Sequence, residues 1–344
     1  MSNLLVLGAT VDPHIRAVCG VLAKRGINCL IYDPIFSGAD HYEIHSSGNQ
    51  ELIASKLNGD RQSIQLDEVT LAWWRLKYFD APLKTEQDQI DWFSIRERVK
   101  LFEALVNRNQ VRIFNPTTQF YVGTNKATQL ERAAQAGFLI PKTLISSSKL
   151  NILNAFASHD RVVVKPFNKS FIPAITDNNR ASRRMMANEV GVSELSAIPD
   201  EEFEAAPVIF QETIRAKCEH RLIAFGDHTA CYKILAPPER QGQVDWRKYE
   251  DECHYELVVT PDHIQKSASK YLRLVDLNYG VFDLIEKQNG DVYFLECNAD
   301  GQWMWLESET DTTVIREALA AGIMDLFLES RDKSQKVRPI EAIC

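Results

Sequence analysis

The first third of the chain alternates short apolar runs with an amphipathic segment. Residues 4–10 (LLVLGAT) are mostly apolar, residues 15–22 place apolar side chains at helical spacing before Gly26, and residues 28–32 form a second apolar run. A strand, a helix and a second strand in this order form a βαβ unit, in which the two strands are parallel. Residues 71–76 predict a further strand. The pattern therefore predicts an α/β domain built on an open parallel sheet.

A break in the pattern follows this domain. Residues 90–105 have the spacing of an amphipathic helix and residues 111–114 that of a short strand. Asn115-Pro116 then interrupts the pattern, because proline restricts the residue before it. We place a domain boundary there. The predicted units are an N-terminal domain, a central subdomain, a C-terminal subdomain and a tail, over residues 1–115, 116–205, 206–330 and 331–344.

Beyond the boundary, helices and strands alternate and no internal repeat is visible. Two polar, poorly periodic segments, residues 168–189 and 236–256, are expected to be irregular. Helices are predicted over residues 125–137, 150–156, 262–275 and 313–329, and strands over residues 142–145, 161–165, 208–211, 221–225 and 229–234.

The strongest local signal is a β-hairpin within residues 280–296, whose two apolar strands meet at Asn289-Gly290. A two-residue turn there places Asp283 opposite Glu296, and Asn298 shares the face of Glu296 because side chains alternate along a strand. Two carboxylates and an amide oxygen suit Mg²⁺ in a nucleotide site. The alternative is a hairpin with polar residues on its solvent face.

Two lysines and one strand exit add to this picture. Lys126 begins a predicted helix, and Lys165 ends an apolar strand, which in α/β layers is a common position for ligand contacts. Residues 211–214 stand at the end of another apolar strand and offer hydrogen-bond acceptors and main-chain groups to a ligand. Each feature alone also fits an ordinary protein surface, so only their combination favours a ligand-binding site.

Composition narrows the classes of function. The formal net charge is −8 and the sequence pI is about 5.6, with lysines and arginines scattered along the chain, which argues against nucleic-acid binding. No apolar run approaches the length of a membrane span and no leader segment is recognisable, so we expect a cytoplasmic protein. The seven cysteines form no CxxC pair and no Cys/His group at zinc spacing, which predicts reduced thiols without structural zinc.

The order of these motifs resembles that of the ATP-grasp superfamily. The segments that carry the resemblance are TNKATQLERAAQAGFLIPKT, VVVKPF, VIFQETI, CEHRLIAFG, VDWR and GVFDLIEKQNGDVYFLECNADGQW. It covers roughly residues 116 to 330, and the first 115 residues resemble the pre-ATP-grasp domain that accompanies this fold. The most similar branch is that of the microviridin-type ligases that cyclise graspetides, with the ribosomal-protein glutamate ligases as cousins.

The resemblance implies a role for each candidate residue. Lys126 and Lys165 would hold the α- and β-phosphates of ATP, and Glu219 would lie near the ribose. Arg221 would steady the γ-phosphate or an acyl phosphate, and Arg247 would face the acceptor. The implied adenine contacts are Gln211, Glu212, Thr213 and Ile214, and the implied ligands of two Mg²⁺ ions are Asp283, Glu296 and Asn298, with Glu296 bridging.

The function implied by the resemblance is an ATP-dependent ligase. It would activate acidic side chains of a ribosomal precursor peptide as acyl phosphates and form amide or ester cross-links, with release of ADP and phosphate. The branch also implies a homodimer. Two alternatives stay open: a ligase that adds a free amino acid to a peptide, protein or small molecule, and a nucleotide-binding regulatory protein without catalysis.

Overall fold

In a computed structural model, the described part of the chain contains three large β-sheets and one two-stranded sheet. The structure describes residues 3–35, 42–44, 50–76, 85–108, 111–115, 125–167, 171–172, 183–184 and 186–337. None of the helices within these ranges is long and apolar enough to cross a membrane.

The N-terminal sheet has seven strands in the order β3-β4-β2-β1-β6-β7, with β5 paired to β4. The strands are β1 (Asn3–Leu7), β2 (Asn28–Tyr32), β3 (Tyr42–Ile44), β4 (Gln50–Ser55), β5 (Arg61–Ile64), β6 (Val69–Trp74) and β7 (Arg112–Phe114). The predicted parallel sheet is confirmed for β1, β2, β6 and β7. The prediction was wrong for β3, β4 and β5, which are antiparallel, because their mixed polar sequences lack a buried-strand pattern.

Two helices cover opposite faces of this sheet: α1 (Pro13–Lys24) and α2 (Glu86–Arg108). Leu4 and Val6 of β1 belong to the same apolar core as α1, whereas Leu5 and Leu7 belong to that of α2. Since successive side chains of a strand point to opposite faces, β1 is buried on both sides. This explains its nearly continuous apolar sequence.

The central sheet is antiparallel, with the strand order β12-β9-β13-β8. Its strands are β8 (Thr143–Ser146), β9 (Arg161–Pro166), β12 (Asn188–Gly191) and β13 (Val208–Glu212). Three short helices belong to this part of the chain: α4 (Lys149–Ala155), α5 (Val192–Ala197) and α6 (Asp200–Glu204). Between β9 and β12, β10 (Phe171–Ile172) pairs with β11 (Arg183–Arg184), so the predicted loop 168–189 contains strand pairs where the structure describes it.

The third sheet has the strand order β16-β15-β14-β17-β18 and carries most of the predicted site. The strands are β14 (Cys218–Phe225), β15 (His228–Leu235), β16 (His254–Val258), β17 (Tyr279–Glu286) and β18 (Val292–Asn298). The predicted irregular segment 236–256 contains two 3₁₀ helices, Pro238–Arg240 and Trp246–Glu252, and the start of β16.

Helices cover both faces of the third sheet. They are α3 (Lys126–Ala136) and α7 (Asp262–Leu274) on one face, and α8 (Met304–Thr310) and α9 (Val314–Val337) on the other. Helix α9 continues eight residues beyond the predicted end at Glu329, into the predicted tail, of which residues 338–344 lie outside the described residues. Helix α9 shares one apolar core with α1 and β14, so the N-terminal sheet and the third sheet are packed together.

Asn115, at the predicted domain boundary, joins these two parts of the molecule; Pro116 lies outside the described residues. Its amide nitrogen donates to the carbonyls of Tyr279 (2.7 Å) and Ala299 (2.8 Å). Its amide oxygen accepts from the main-chain N–H groups of Asn278 (3.0 Å) and Tyr279 (3.2 Å). The residue is buried and has a left-handed φ of 51°, which asparagine tolerates better than most residues. Asn115 is therefore a buried link between the N-terminal sheet and the third sheet.

We predict that Asn115→Ala lowers the free energy of unfolding by about 3 kcal/mol, because it leaves several buried main-chain groups without partners. Urea unfolding followed by circular dichroism measures this change. Asn154→Ala, on an exposed face of α4, is the matched control and should change stability by less than about 0.5 kcal/mol. Equal effects of the two substitutions would contradict the linking role of Asn115.

Candidate functional site

The site is built on a row of charged residues across three adjacent strands. Arg221 of β14 pairs directly with Asp283 of β17, and Asp283 pairs directly with Glu296 of β18. Directly opposed residues of antiparallel strands lie about 5 Å apart at Cβ. The sheet register thus brings these three side chains together, including the predicted pair of Asp283 and Glu296.

The pairing of Asp283 with Glu296 depends on a β-bulge. Near the turn, Glu286 pairs with Val292, one residue out of step with the predicted register. An extra residue of β18, Leu295, then shifts the register, so that Asp283 faces Glu296 after all. The predicted pairing is confirmed, but the predicted two-residue turn alone does not produce it.

The bulge also decides which side chains face the site. Phe294 and Cys297 of β18 both belong to the apolar core beneath the sheet, although they are three residues apart. Glu296 and Asn298 therefore share the other face, and Asn298 Nδ2 donates to Glu296 Oε1 at 3.2 Å. This confirms the prediction that Glu296 and Asn298 lie on one face.

These side chains line a cleft of about 450 Å³ between the central sheet and the third sheet. Of the predicted site residues, Thr213 is the exception, since it does not line the cleft and its hydroxyl is buried without a hydrogen-bond partner among the described residues. The predicted residues that line the cleft are Lys126, Lys165, Gln211, Glu212, Ile214, Glu219, Arg221, Arg247, Asp283, Glu296 and Asn298.

Two guanidinium groups hold the buried carboxylate of Asp283. Arg221 Nη1 donates to Asp283 Oδ1, and Arg247 Nη2 donates to Asp283 Oδ2 at 2.8 Å. Burial alone would raise the pKa of Asp283, but the two arginines outweigh it and hold the pKa below its ordinary value. Asp283 is therefore ionised at neutral pH and fully paired.

Arg247 is held by contacts that the sequence did not predict. Asp245 adopts a left-handed φ of 66°, caps the 3₁₀ helix Trp246–Glu252, and contacts Arg247 Nη1 at 3.3 Å. The guanidinium also lies over the Trp246 ring, 5.3 Å from its centroid, and 3.9 Å from Glu296 Oε1. These contacts place Arg247 at the carboxylate row itself. The only signal in the sequence was an aspartate followed by Trp-Arg, in a helix-capping position.

Both predicted lysines lie close to the carboxylates. Lys126 Nζ donates to the carbonyl of Pro166 at 2.9 Å, next to Lys165. Burial lowers the pKa of Lys165 to about 8, although Glu296 opposes the shift, and burial also lowers the pKa of Lys126. Gln129 fixes the helix that carries Lys126, because its amide exchanges two hydrogen bonds of 2.9 Å with the main chain of Cys297 in β18.

The predicted adenine segment, residues 211–214, lies at the end of β13. Gln211 Nε2 donates to Thr143 Oγ1 at 2.8 Å, and Glu212 Oε1 accepts from the main-chain N–H of Lys142 at 2.9 Å. The side chains of Gln211 and Glu212 thus brace the strand. The apolar side chain of Ile214 and main-chain groups are left as contacts for a planar ligand.

Glu219 lies on β14 two residues before Arg221, so both side chains face the cleft. Burial raises the pKa of Glu219 to about 8, with Asp283 and Asp245 adding to the shift and Arg247 opposing it. The group therefore titrates near neutral pH, as acid–base groups in active sites commonly do.

The loop after β18 is held by the N-terminal domain. Arg75 Nη1 donates to the carbonyl of Asp300 at 2.9 Å, and Arg75 Nε lies 3.4 Å from Asp12. Asp12 contacts His14 Nδ1 at 2.9 Å, and His14 Nε2 accepts from the main-chain N–H groups of Trp303 and of the next residue at 3.3 Å. Sequence reasoning missed these supports, since the bonds from Arg75 and His14 to the loop join residues more than 200 positions apart.

The residues at the bottom of the cleft fit Mg²⁺. Asp283, Glu296 and Asn298 offer only oxygen ligands, which is the donor type that Mg²⁺ prefers, and Glu296 and Asn298 are partly exposed to the cleft. Asp283 differs from them because both of its oxygens already accept from arginines. A bound metal would therefore share these oxygens with the arginines or displace one of them.

No protein-family model matches the chain, and no curated protein matches it in sequence. Several solved structures do. A RiPP-associated ATP-grasp ligase of Chryseobacterium gregarium, in complex with ADP and a leader and core peptide, is 19% identical with a TM-score of 0.77, covering 96% of this chain and 97% of its own. The macrocyclase MdnC of Microcystis aeruginosa, bound with the precursor peptide MdnA, is 23% identical with a TM-score of 0.74, covering 94% and 100%.

A further similar structure is the ATP-grasp ligase PsnB, complexed with a minimal precursor, Mg and ADP. It is 19% identical with a TM-score of 0.69, and the match covers 96% of this chain and 99% of PsnB. The match to all three extends over nearly the whole length of both chains. The chain therefore has the ATP-grasp fold, including the N-terminal domain, and the predicted fold is confirmed.

We predict that Asp283→Asn destabilises the protein by about 3 kcal/mol, because it leaves two arginines facing a neutral group in a buried position. Glu296→Gln is the matched control, since Glu296 is partly exposed, and it should cost less than about 1 kcal/mol. Urea unfolding of the two variants and the wild type measures the difference. A larger loss for Glu296→Gln would contradict the central position of Asp283.

Proposed function

We propose that the chain is an ATP-dependent ligase that activates acidic side chains of a ribosomal precursor peptide and forms amide or ester cross-links. The observation that supports this most directly is the row of Arg221, Asp283 and Glu296 beneath a cleft that also contains Lys126 and Lys165. Cations and oxygen ligands in this combination suit phosphoryl transfer, whose main requirement is charge neutralisation and positioning. The peptide-bound ligases that share the fold support the choice of substrate.

The proposed reaction has two steps. A carboxylate oxygen of the peptide attacks the γ-phosphorus of ATP, the bond between the γ-phosphorus and the β–γ bridging oxygen breaks, and ADP leaves. An amine or hydroxyl of the same peptide then attacks the acyl carbon, loses its proton, and expels phosphate. Each ring formed thus removes one water from the peptide and converts one ATP to ADP and phosphate. Acyl phosphates hydrolyse readily, so exclusion of water from the cleft is part of the function.

The cations of the cleft bind the phosphates in this proposal. Lys126 and Lys165 hold the α- and β-phosphates, and Arg221 lies beside Asp283, where the γ-phosphate or the acyl phosphate would be. Arg247 serves the acceptor side, and Glu219 lies near the ribose. Because Lys165 is only partly protonated near pH 8, a bound phosphate would draw a proton onto it.

Asp283, Glu296 and Asn298 would hold two Mg²⁺ ions in this proposal, since all three line the cleft and offer oxygen ligands. When bound, the ions would neutralise the charge of the β- and γ-phosphates. The arginines on Asp283 keep this buried carboxylate ionised until the metal arrives. Main-chain groups of residues 211–214 and the side chain of Ile214 hold adenine.

We also propose that the ligase acts as a homodimer in the cytoplasm, with an acidic precursor peptide as its partner. The dimer rests on the resemblance to graspetide ligases. The cytoplasmic location is supported by the cysteines, because those in the described part of the chain are unpaired thiols: Cys19, Cys29, Cys218, Cys231, Cys253 and Cys297.

Incubation with ATP, Mg²⁺ and the precursor should lower the peptide mass by one water per ring, as measured by mass spectrometry. Glu296→Gln should abolish this loss and the release of ADP while the fold is kept, since a neutral amide is a far weaker ligand for Mg²⁺ than a carboxylate. Glu201→Gln, on the exposed face of α6, is the control and should retain wild-type turnover. The precursor to test is the product of a short neighbouring reading frame rich in Thr, Ser, Asp and Glu.

Other outcomes of this experiment separate the alternatives. A mass increase equal to one amino acid, when free amino acids are present, would establish an amino-acid ligase. ATP binding without any mass change or ADP release, for all acidic peptides and amino acids tested, would establish a non-catalytic protein. Full turnover by Glu296→Gln would refute the metal assignment.

Lys165→Ala should weaken ATP binding by about 2 kcal/mol, or about thirtyfold, because it removes a charged hydrogen-bond donor from a partly buried site. Isothermal titration calorimetry measures the affinity. In buffers of different ionisation enthalpy at pH 8, the wild type should also take up protons on binding, and the variant should take up fewer. Lys270→Ala, on an exposed face of α7, should match the wild type, and equal affinity of both variants would show that Lys165 does not contact phosphate.

A further inference from the structure

Strand β14 carries two sets of polar residues on its opposite faces. Glu219 and Arg221 point into the cleft. Cys218 and His220 alternate with them and therefore point to the other face. Glu286 of β17 pairs directly with Cys218 and brings a carboxylate to the same place. A second polar group thus lies behind the sheet that carries the site.

Three donor atoms of this group converge. His220 Nε2 lies 2.8 Å from Glu286 Oε2, Cys218 Sγ lies 3.4 Å from the same oxygen, and Cys218 Sγ lies 3.7 Å from His220 Nε2. With zinc–ligand bonds of about 2.0 to 2.3 Å, neighbouring donors of a tetrahedral site lie about 3.3 to 3.6 Å apart. The two sulfur distances are close to this range, and the nitrogen–oxygen pair is shorter because it is hydrogen-bonded.

The surroundings hold these donors in place. Lys217 Nζ bonds to Glu286 Oε1 at 2.7 Å, which leaves Oε2 for Cys218 and His220. His220 Nδ1 faces Cys231 Sγ at 3.7 Å, so the other ring nitrogen is directed to the group. Outer contacts of this kind orient the ligands in known metal sites.

Cys218 and His220 are buried, with exposed fractions of 3% and 6%. Burial lowers the pKa of His220, which favours the neutral imidazole that a metal needs. Burial opposes ionisation of Glu286, but hydrogen bonds from Lys217 and His220 outweigh it and lower the pKa of Glu286 to about 2. Burial raises the pKa of the Cys218 thiol to about 12, so this ligand would lose its proton only to a bound metal.

We propose that Cys218, His220 and Glu286 would bind one Zn²⁺ ion, which would hold strand β14 against β17. Sulfur, imidazole and carboxylate together form a zinc donor set, unlike the oxygen ligands of the cleft. On binding, the thiol proton leaves to solvent and the imidazole proton moves from Nε2 to Nδ1, which faces Cys231. The hydrogen bond between His220 and Glu286 is then replaced by two bonds to the metal. The ion would join β14 to β17 directly behind Arg221 and Asp283, and so hold the register of the site.

This site differs from the sequence expectation of no structural zinc. That expectation came from spacing along the chain, where Cys218 and His220 are two residues apart but Glu286 is 66 residues beyond His220. Only the pairing of β14 with β17 brings the third ligand in. The proposal is independent of the proposed ligase reaction.

The test is titration of the metal-stripped, untagged full chain with Co²⁺ and with Zn²⁺. Co²⁺ bound to a thiolate gives a near-ultraviolet charge-transfer band, which carboxylate sites lack, so the cleft does not interfere. We expect one equivalent of Co²⁺ to produce the band and one equivalent of Zn²⁺ to remove it. The thermal midpoint of unfolding should rise on addition of Zn²⁺.

Variants assign the ligands. Cys218→Ser should lose the band, and His220→Gln and Glu286→Gln should weaken Zn²⁺ binding more than about 100-fold. Cys253→Ser is the matched cysteine control and should keep the band. Circular dichroism of each variant without metal establishes that it is folded, and His220→Gln serves as the test if Cys218→Ser does not fold.

Two results would overturn the proposal. One is the absence of the charge-transfer band in the wild type at a tenfold excess of Co²⁺ over protein. The other is an unchanged band in folded Cys218→Ser or unchanged Zn²⁺ affinity in folded His220→Gln. Retention of the band and of zinc stabilisation in Glu296→Gln would separate this site from the proposed Mg²⁺ site in the cleft.

Discussion

The buried carboxylate of Asp283 is the constraint on which the site depends. An ionised carboxylate inside a protein is stable only when it is paired and hydrogen-bonded, and here Arg221 and Arg247 supply both. These two arginines come from a paired strand and from a 3₁₀ segment capped by Asp245. The strand register, the β-bulge at Leu295 and the left-handed conformation of Asp245 therefore all position the same ionic cluster, in which two arginines hold Asp283.

A second set of hydrogen bonds ties the N-terminal sheet to the site. Arg75 and His14 hold the loop that follows Asn298. Asn115 bonds to the main chain of Ala299, in this loop, and of Tyr279, at the start of β17. These are hydrogen bonds to main-chain groups, so they fix the backbone path and not a particular side chain. The N-terminal sheet thus acts as a support for the loop beside the carboxylates.

The cleft and the back of the sheet show how one strand serves two purposes. Alternation along β14 sends Glu219 and Arg221 into the cleft and Cys218 and His220 to the opposite face. Any contact that holds β14 against β17 behind the sheet also holds Arg221 beside Asp283 in front of it. For this reason, the stability of the contacts on the face opposite the cleft affects the geometry of the site.

Local sequence determined most elements of this protein and the types of residue in its site. Helix α3 begins at its asparagine cap and ends at Gly137, β2 has the predicted bounds, and the predicted hairpin forms between β17 and β18, because caps, apolar alternation and turn residues act over a few positions. Tertiary structure alone decided the antiparallel strands β3 to β5, the bulge at Leu295, and the partners of Arg75, Arg247 and Glu286. Those features depend on contacts between different strands and segments. The free energy of such contacts depends on which strands are neighbours in the fold, and the local sequence pattern does not specify this.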